Sequence, residues 1–106
     1  YDAQSDSLVI SDVGSAADAT DGKLYVIPGA KNASGLTDMS VSISGPLSML
    51  GNPVDLMLSN GHVYVAEKSN SAVLRFDNIL NQASGDMAPS YSVSFTAPES
   101  VSVLLN

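Results

Sequence analysis

Cysteine and tryptophan are absent from this chain, and histidine occurs once, at His62. Without cysteine there is no disulfide framework and no thiolate metal site. With one histidine, any Ser-His-Asp relay or imidazole-held metal would have to run through His62. Basic side chains are nearly as scarce: Lys23, Lys31, Lys68 and Arg75 stand against eleven carboxylates, for a formal net charge of −7. That balance repels phosphate backbones and anionic bilayer surfaces, which argues against nucleic acid as a partner. No apolar run approaches the roughly 18 residues a membrane-spanning helix requires. At 106 residues the length allows one domain with one modest core. Acidity, abundant serine and few lysines fit an exported protein, extracellular or periplasmic, and an opening Tyr1 in place of Met suits a processed or excised segment.

What the chain does have is a repeat. ASGLTDMSVSISGP, from Ala33, is echoed by ASGDMAPSYSVSFTAP, from Ala83, and each leads into a proline-started apolar segment. A period of about 45 to 50 residues, filled with short alternating segments and turn signals, is the size of one four-stranded β-propeller blade. Apolar and serine residues alternate in Met39-Ser40-Val41-Ser42-Ile43-Ser44 and in Tyr91-Ser92-Val93-Ser94-Phe95, the pattern of half-buried strands at the outside of a sheet. Asn60-Gly61 separates 54–59 from 62–66 and predicts a tight hairpin, because both turn positions need positive φ. A turn at 68–71 continues the meander into 72–77, and 91–95 supplies a fourth strand.

The first half reads as the same blade without its first strand: 7–12, 23–27 and 39–44 correspond to the second, third and fourth strands, with an enlarged loop at 13–22. Segment 98–106 repeats the first-strand pattern that begins at Pro53. The expected organisation of the single all-β unit 1–106 is therefore a blade lacking its first strand (1–49), a complete blade (50–97) and the first strand of a further blade (98–106). That makes eight strands, or about two propeller blades in permuted register. The alternative fold is an eight-stranded immunoglobulin-like β-sandwich, which length and strand count also suit but which gives no reason for the repeat.

The stretch GNPVDLMLSNGHVYVAEKSNSAVLRFDN, residues 51–78, resembles an NHL-type repeat, as in NHL and gluconolactonase-like propellers, and SLVISDVG with DGKLYVIPG forms a weaker second copy. The resemblance implies a scaffold. Propellers of this kind serve as interaction platforms, sugar-lactone hydrolases or peptide-processing lyases. The aspartate usual after the second strand is Glu67 in this chain, a departure that sets a loop-bridging role for the position against a simple turn pair of Glu67 with Lys68.

Candidate chemistry rests on few side chains. Asp12, Asp18 and Asp21 cluster around the enlarged loop, and hard oxygen ligands on such a loop suit calcium, although their spacing equally reads as turn formers. Asp55, on the expected innermost strand, is the position where a gluconolactonase-like site would gather metal ligands; its repeat equivalent is Ser100. His62 follows a tight turn and reads as a solvent-facing hairpin residue before it reads as a general base. Asn32-Ala33-Ser34 is an acceptor sequence for N-glycosylation. Tyr25 and Tyr64 read as packing residues between neighbouring blades.

Two functions follow. One is a non-enzymatic structural or interaction module of propeller blades, a homo-oligomer or a part of a longer chain, joined to itself or to remaining blades through open strand edges. The alternative is a fragment of a secreted metal-dependent propeller hydrolase of the lactonase kind, whose metal ligands would mostly lie in blades outside this chain, with Asp55 the candidate here.

Overall fold

The structure is a computed structural model that describes residues 1–15, 17–35 and 38–104. Within them the chain is all-β, in two antiparallel sheets. Strands β1 (Ser7–Asp12), β2 (Lys23–Pro28) and β3 (Val41–Ser44) form a three-stranded meander, and β4 (Pro53–Ser59), β5 (His62–Glu67), β6 (Ala72–Phe76) and β7 (Tyr91–Ser94) form a four-stranded one. Neither sheet closes on itself. The chain passes between them once, from β3 to β4, so among the described residues there is no Greek-key exchange of the immunoglobulin-like kind.

Turn chemistry sets the register of the second sheet. Asn60 and Gly61 take φ of 52° and 78°, the conformation a two-residue hairpin demands, and they place Ser59 opposite His62. At the next turn the Ser71 N–H donates to the Lys68 carbonyl at 3.3 Å, and Glu67 falls opposite Ala72. A bulge at Val54, between Pro53 and Asp55, bends the start of β4.

Alternation then fills the core. Val9, Leu24, Val26, Val41 and Ile43 of the first sheet and Val63, Val65, Ala72, Leu74 and Phe76 of the second share one buried cluster with Leu50 and Ile79 from the connections. Full burial of a side chain such as Phe76 or Leu24 contributes about 1.5–3 kcal/mol. Loop 13–22 comes close to the β3–β4 connection at Gly51: a Cβ there would lie 2.5 Å from the Ala19 carbonyl oxygen, so only glycine permits the approach.

The two sheets repeat one another at several matching backbone bonds. A 3-10 turn follows β2 (Ala30–Asn32) and β6 (Ile79–Asn81), each entered through a left-handed residue, Gly29 at φ 61°, ψ 40° and Asn78 at φ 52°, ψ 43°. The Ala30 N–H donates to the Asp6 carbonyl at 2.9 Å, and the Ile79 N–H donates to the Gly61 carbonyl at 2.9 Å. Ahead of β3 the Ser40 N–H bonds the Val26 carbonyl at 2.9 Å; ahead of β7 the Ser90 N–H bonds the Arg75 carbonyl at 2.8 Å. Strands β1, β2 and β3 thus correspond to β5, β6 and β7, and β4 has no counterpart in the first sheet.

Two expectations need correction. Seven strands, not eight, form among the described residues: 98–104 carries no ladder, because no strand of the chain runs beside it, and Leu105 and Asn106 lie outside the described residues. Strand β7 is outermost as expected but exposed along its whole length, not half-buried, because no described residue covers its apolar face.

Candidate functional site

Glu67 is completely buried at the end of β5, and its carboxylate is the hub of three loops. Oε1 accepts the Asn52 N–H from the β3–β4 connection, and Oε2 accepts the Asn70 N–H at 3.1 Å and the Asn70 Nδ2 at 3.0 Å. The same Asn70 amide reaches the Met49 carbonyl at 2.8 Å and the Ala19 carbonyl at 3.0 Å. The expected pair of Glu67 with Lys68 is therefore absent. Glu67 bridges loops despite its extra methylene, and the Lys68 ammonium instead meets Glu99 at 2.6 Å on the surface, where it contributes little.

The four aspartates singled out as metal ligands are each engaged by backbone donors, mostly of their own loops. Asp12 Oδ1 accepts the Gly14 N–H at 2.9 Å, and Asp21 Oδ2 accepts the Ser15 N–H at 2.7 Å. Asp18 Oδ1 accepts the Thr20 N–H and hydroxyl, and the hydroxyl bond holds its pKa below the ordinary carboxylate value. Asp55 sits just past the β4 bulge and accepts the Val101 N–H at 2.9 Å, which ties 98–104 to the four-stranded sheet. No three acidic or histidine side chains converge among the described residues as a metal would require. Asn32 is exposed at the end of its 3-10 turn.

His62 is more engaged than a free hairpin residue. Its Nδ1 accepts the Asn78 N–H at 3.1 Å and lies 3.5 Å from Asp77 Oδ1. Asp77 instead pairs with Arg75: Nη2 donates to Oδ2 at 3.3 Å, while Nε lies 2.7 Å from Oδ1 with its N–H out of line. That hydrogen bond to Asp77 raises the guanidinium pKa, and the group lies 5.5 Å from the Tyr91 ring centroid. The sequence reads His62 as a solvent-facing residue after the Asn60-Gly61 turn, and only the packing of β6 beside it shows what it meets.

Three open surfaces remain. The outer face of the four-stranded sheet carries Tyr64, Val73, Arg75, Tyr91 and Val93 around a shallow apolar groove of about 230 Å³. Tyr91 and Val93 are 57 % and 47 % exposed, whereas their counterparts Val41 and Ile43 are 2 % and 0 % exposed. Tyr64, expected to pack between neighbouring blades, lies on this open face with no sheet stacked on it among the described residues. The second surface is the free edge of β1. Asp2 and Ser7 exchange both backbone hydrogen bonds, at 2.8 and 3.2 Å, on the side away from β2. Alternation directs the N–H and C=O groups of Val9 and Ser11 to that same side, where they have no partner among the described residues. A wider polar groove of about 590 Å³ lies at the turn end, between Asp2, Gln4 and Ser5 on one side and Asn60, Gly61 and Asn78 on the other. No family model, curated protein or solved structure matches the chain significantly.

Proposed function

We propose that this chain is a non-enzymatic structural or interaction module built of β-propeller blades, working by strand-edge pairing as part of a ring, a filament or a larger propeller. In this reading β1–β3 are a blade short of its first strand, β4–β7 are a complete blade, and 98–104 begin the next one. The observation that carries it is the correspondence of β1–β3 with β5–β7 at the bonds of Ala30 and Ile79, of Ser40 and Ser90, and at the left-handed entries of Gly29 and Asn78. Successive blades stack a face of one sheet on the opposite face of the next, and the two sheets already do this once within the chain. Repeat units of this kind draw much of their stability from neighbours, which explains why an apolar face and an unpaired edge are left open. The engagement of Asp12, Asp18, Asp21 and Asp55 by backbone donors favours structural carboxylates over a calcium-dependent hydrolase.

The test is the solution mass by light scattering across a dilution series. A defined multiple of the 10.9 kDa chain, three copies for a six-bladed ring, is expected. A compact monomer that persists at every concentration would overturn the reading.

A further inference from the structure

We infer that the free edge of β1 is a docking site for residues 98–104 of a second copy of this chain, in a register that the chain's own β4–β5 ladder dictates. The inference rests on the assembly reading above and names its partner, its strand and its alignment.

The occupant follows from two correspondences. Strand β1 stands where β5 stands in the complete sheet, and 98–104 repeat the sequence that begins at Pro53 in β4, the strand that pairs with β5. In that ladder Asp55 faces Ala66, Leu56 faces Val65, Met57 faces Tyr64 and Leu58 faces Val63. Transferred to the open edge, Ser100 faces Ser11, Val101 faces Ile10, Ser102 faces Val9 and Val103 faces Leu8.

The chemistry of both partners fits this alignment. On β1 the unpaired groups belong to Val9 and Ser11. On the incoming segment the Val101 N–H is already committed to Asp55 of its own chain. In an extended strand the N–H groups of Ser100 and Ser102 then point the opposite way, and these are the residues that fall opposite Ser11 and Val9. Val101 and Val103 would join Leu8 and Ile10 on one face, as Leu56 and Leu58 join Val65 and Val63. Asp2 already occupies the Ser7 backbone, so the ladder ends at Val103.

The segment cannot come from the same chain. Asp55 lies on the face of β4 opposite to Leu56 and Leu58, which pack against the core that Val9 of β1 shares. The chain's own 98–104 is therefore held across the four-stranded sheet from the edge it matches, and only another copy can bring one to it.

Absence of cysteine makes the test clean. Two near-isosteric single variants, Ser11→Cys and Ser100→Cys, one carrying a mass tag, are mixed and oxidised. Facing residues of a hydrogen-bonded pair lie about 5.5 Å apart between Cα atoms, within the span of a disulfide. A tagged–untagged disulfide dimer is expected, and none is expected from Ser11→Cys mixed with Ser102→Cys, which sits two residues or about 6.8 Å out of register. Ser102→Pro, which removes a donor aimed at Val9, should bring the scattering mass down to that of one chain. A mass that stays at a multiple of the chain while Ser11→Cys and Ser100→Cys fail to join refutes this docking and leaves the assembly reading standing. A monomer at all concentrations refutes both. A disulfide formed within one chain carrying both cysteines at high dilution refutes the second copy as occupant.

Discussion

Replacing Glu67 tests whether one buried carboxylate holds three loops together. In Glu67→Ala the Asn52 and Asn70 N–H groups lose their acceptor, and a buried donor left without a partner costs about 1–3 kcal/mol. Asn52 and Asn70 are only half-buried, so water can partly replace the lost oxygens and the lower half of that range applies to each. Adding the hole left by the side chain, the expected destabilisation is about 3 kcal/mol, or a fall in Tm of roughly 12 °C or more for a domain of this size. Glu67→Gln separates charge from shape. Its oxygen can still accept from Asn52, but its amide nitrogen then faces the donors of Asn70, and a loss of about 2 kcal/mol follows.

The assay is urea unfolding followed by far-ultraviolet circular dichroism at one fixed protomer concentration, because any association contributes to apparent stability. Asn70→Ala, alone and combined with Glu67→Ala, completes a double-mutant cycle with an expected coupling of about 1 kcal/mol or more. If Glu67→Ala lies within about 0.5 kcal/mol of the parent, the range of ordinary surface changes, the bridging role is wrong.

Four further outcomes follow from the geometry. Asp55→Ala should free residues 98–104, seen as lost hydrogen-exchange protection at the Val101 amide; unchanged protection would mean that the segment is held some other way. The Asp18 carboxyl is held below its ordinary 3.8, so the Asp18–Thr20 turn should keep its full strength above pH 3.8 and lose it only as the pH falls through the lower folded value; a carboxyl carbon-13 titration with a midpoint at or above 3.8 contradicts this. Gly45→Ala should cost about 2 kcal/mol or more in urea, because φ is 118° there and a Cβ would meet the Asp86 carboxyl carbon at 2.4 Å; a neutral result would show that the 45–48 turn relaxes freely. Val93→Asp should change the stability of the dilute chain by no more than about 0.5 kcal/mol yet lower the scattering mass at high concentration, and a large loss of stability at dilution would show the outer face to be covered within the chain.

What the residues disclosed depended on how local the deciding physics was. Asn60-Gly61 was readable because the positive φ its turn requires is a property of those two residues. Glu67 was not, because Glu-Lys-Ser-Asn reads as a solvated turn until Asn52, fifteen residues earlier, folds back onto the carboxylate. The aspartates of loop 13–22 were readable as turn formers or as ligands, and the deciding partners, Gly14, Ser15 and Thr20, are backbone groups that composition does not rank. Asp55 was placed on the right strand, but its actual partner, the Val101 amide, lies forty-six residues away.

Strands β3 and β7 show the same limit on a larger scale. Val-Ser-Ile-Ser and Tyr-Ser-Val-Ser carry one pattern, follow matching turns and close matching sheets, yet β3 alternates buried with half-buried residues while β7 is exposed throughout. The difference lies in what covers them. Against β3 lie the four-stranded sheet and the segment at Ser84 and Gly85, whose hydroxyl, N–H and carbonyl bond to the backbone of Ser42 and Ser44. Alternation thus specifies a face that needs a cover and leaves the cover unnamed. Because β7 carries apolar residues at the positions of β3 and no described residue buries them, the assembly proposed above is the reading under which that exposed face would be covered.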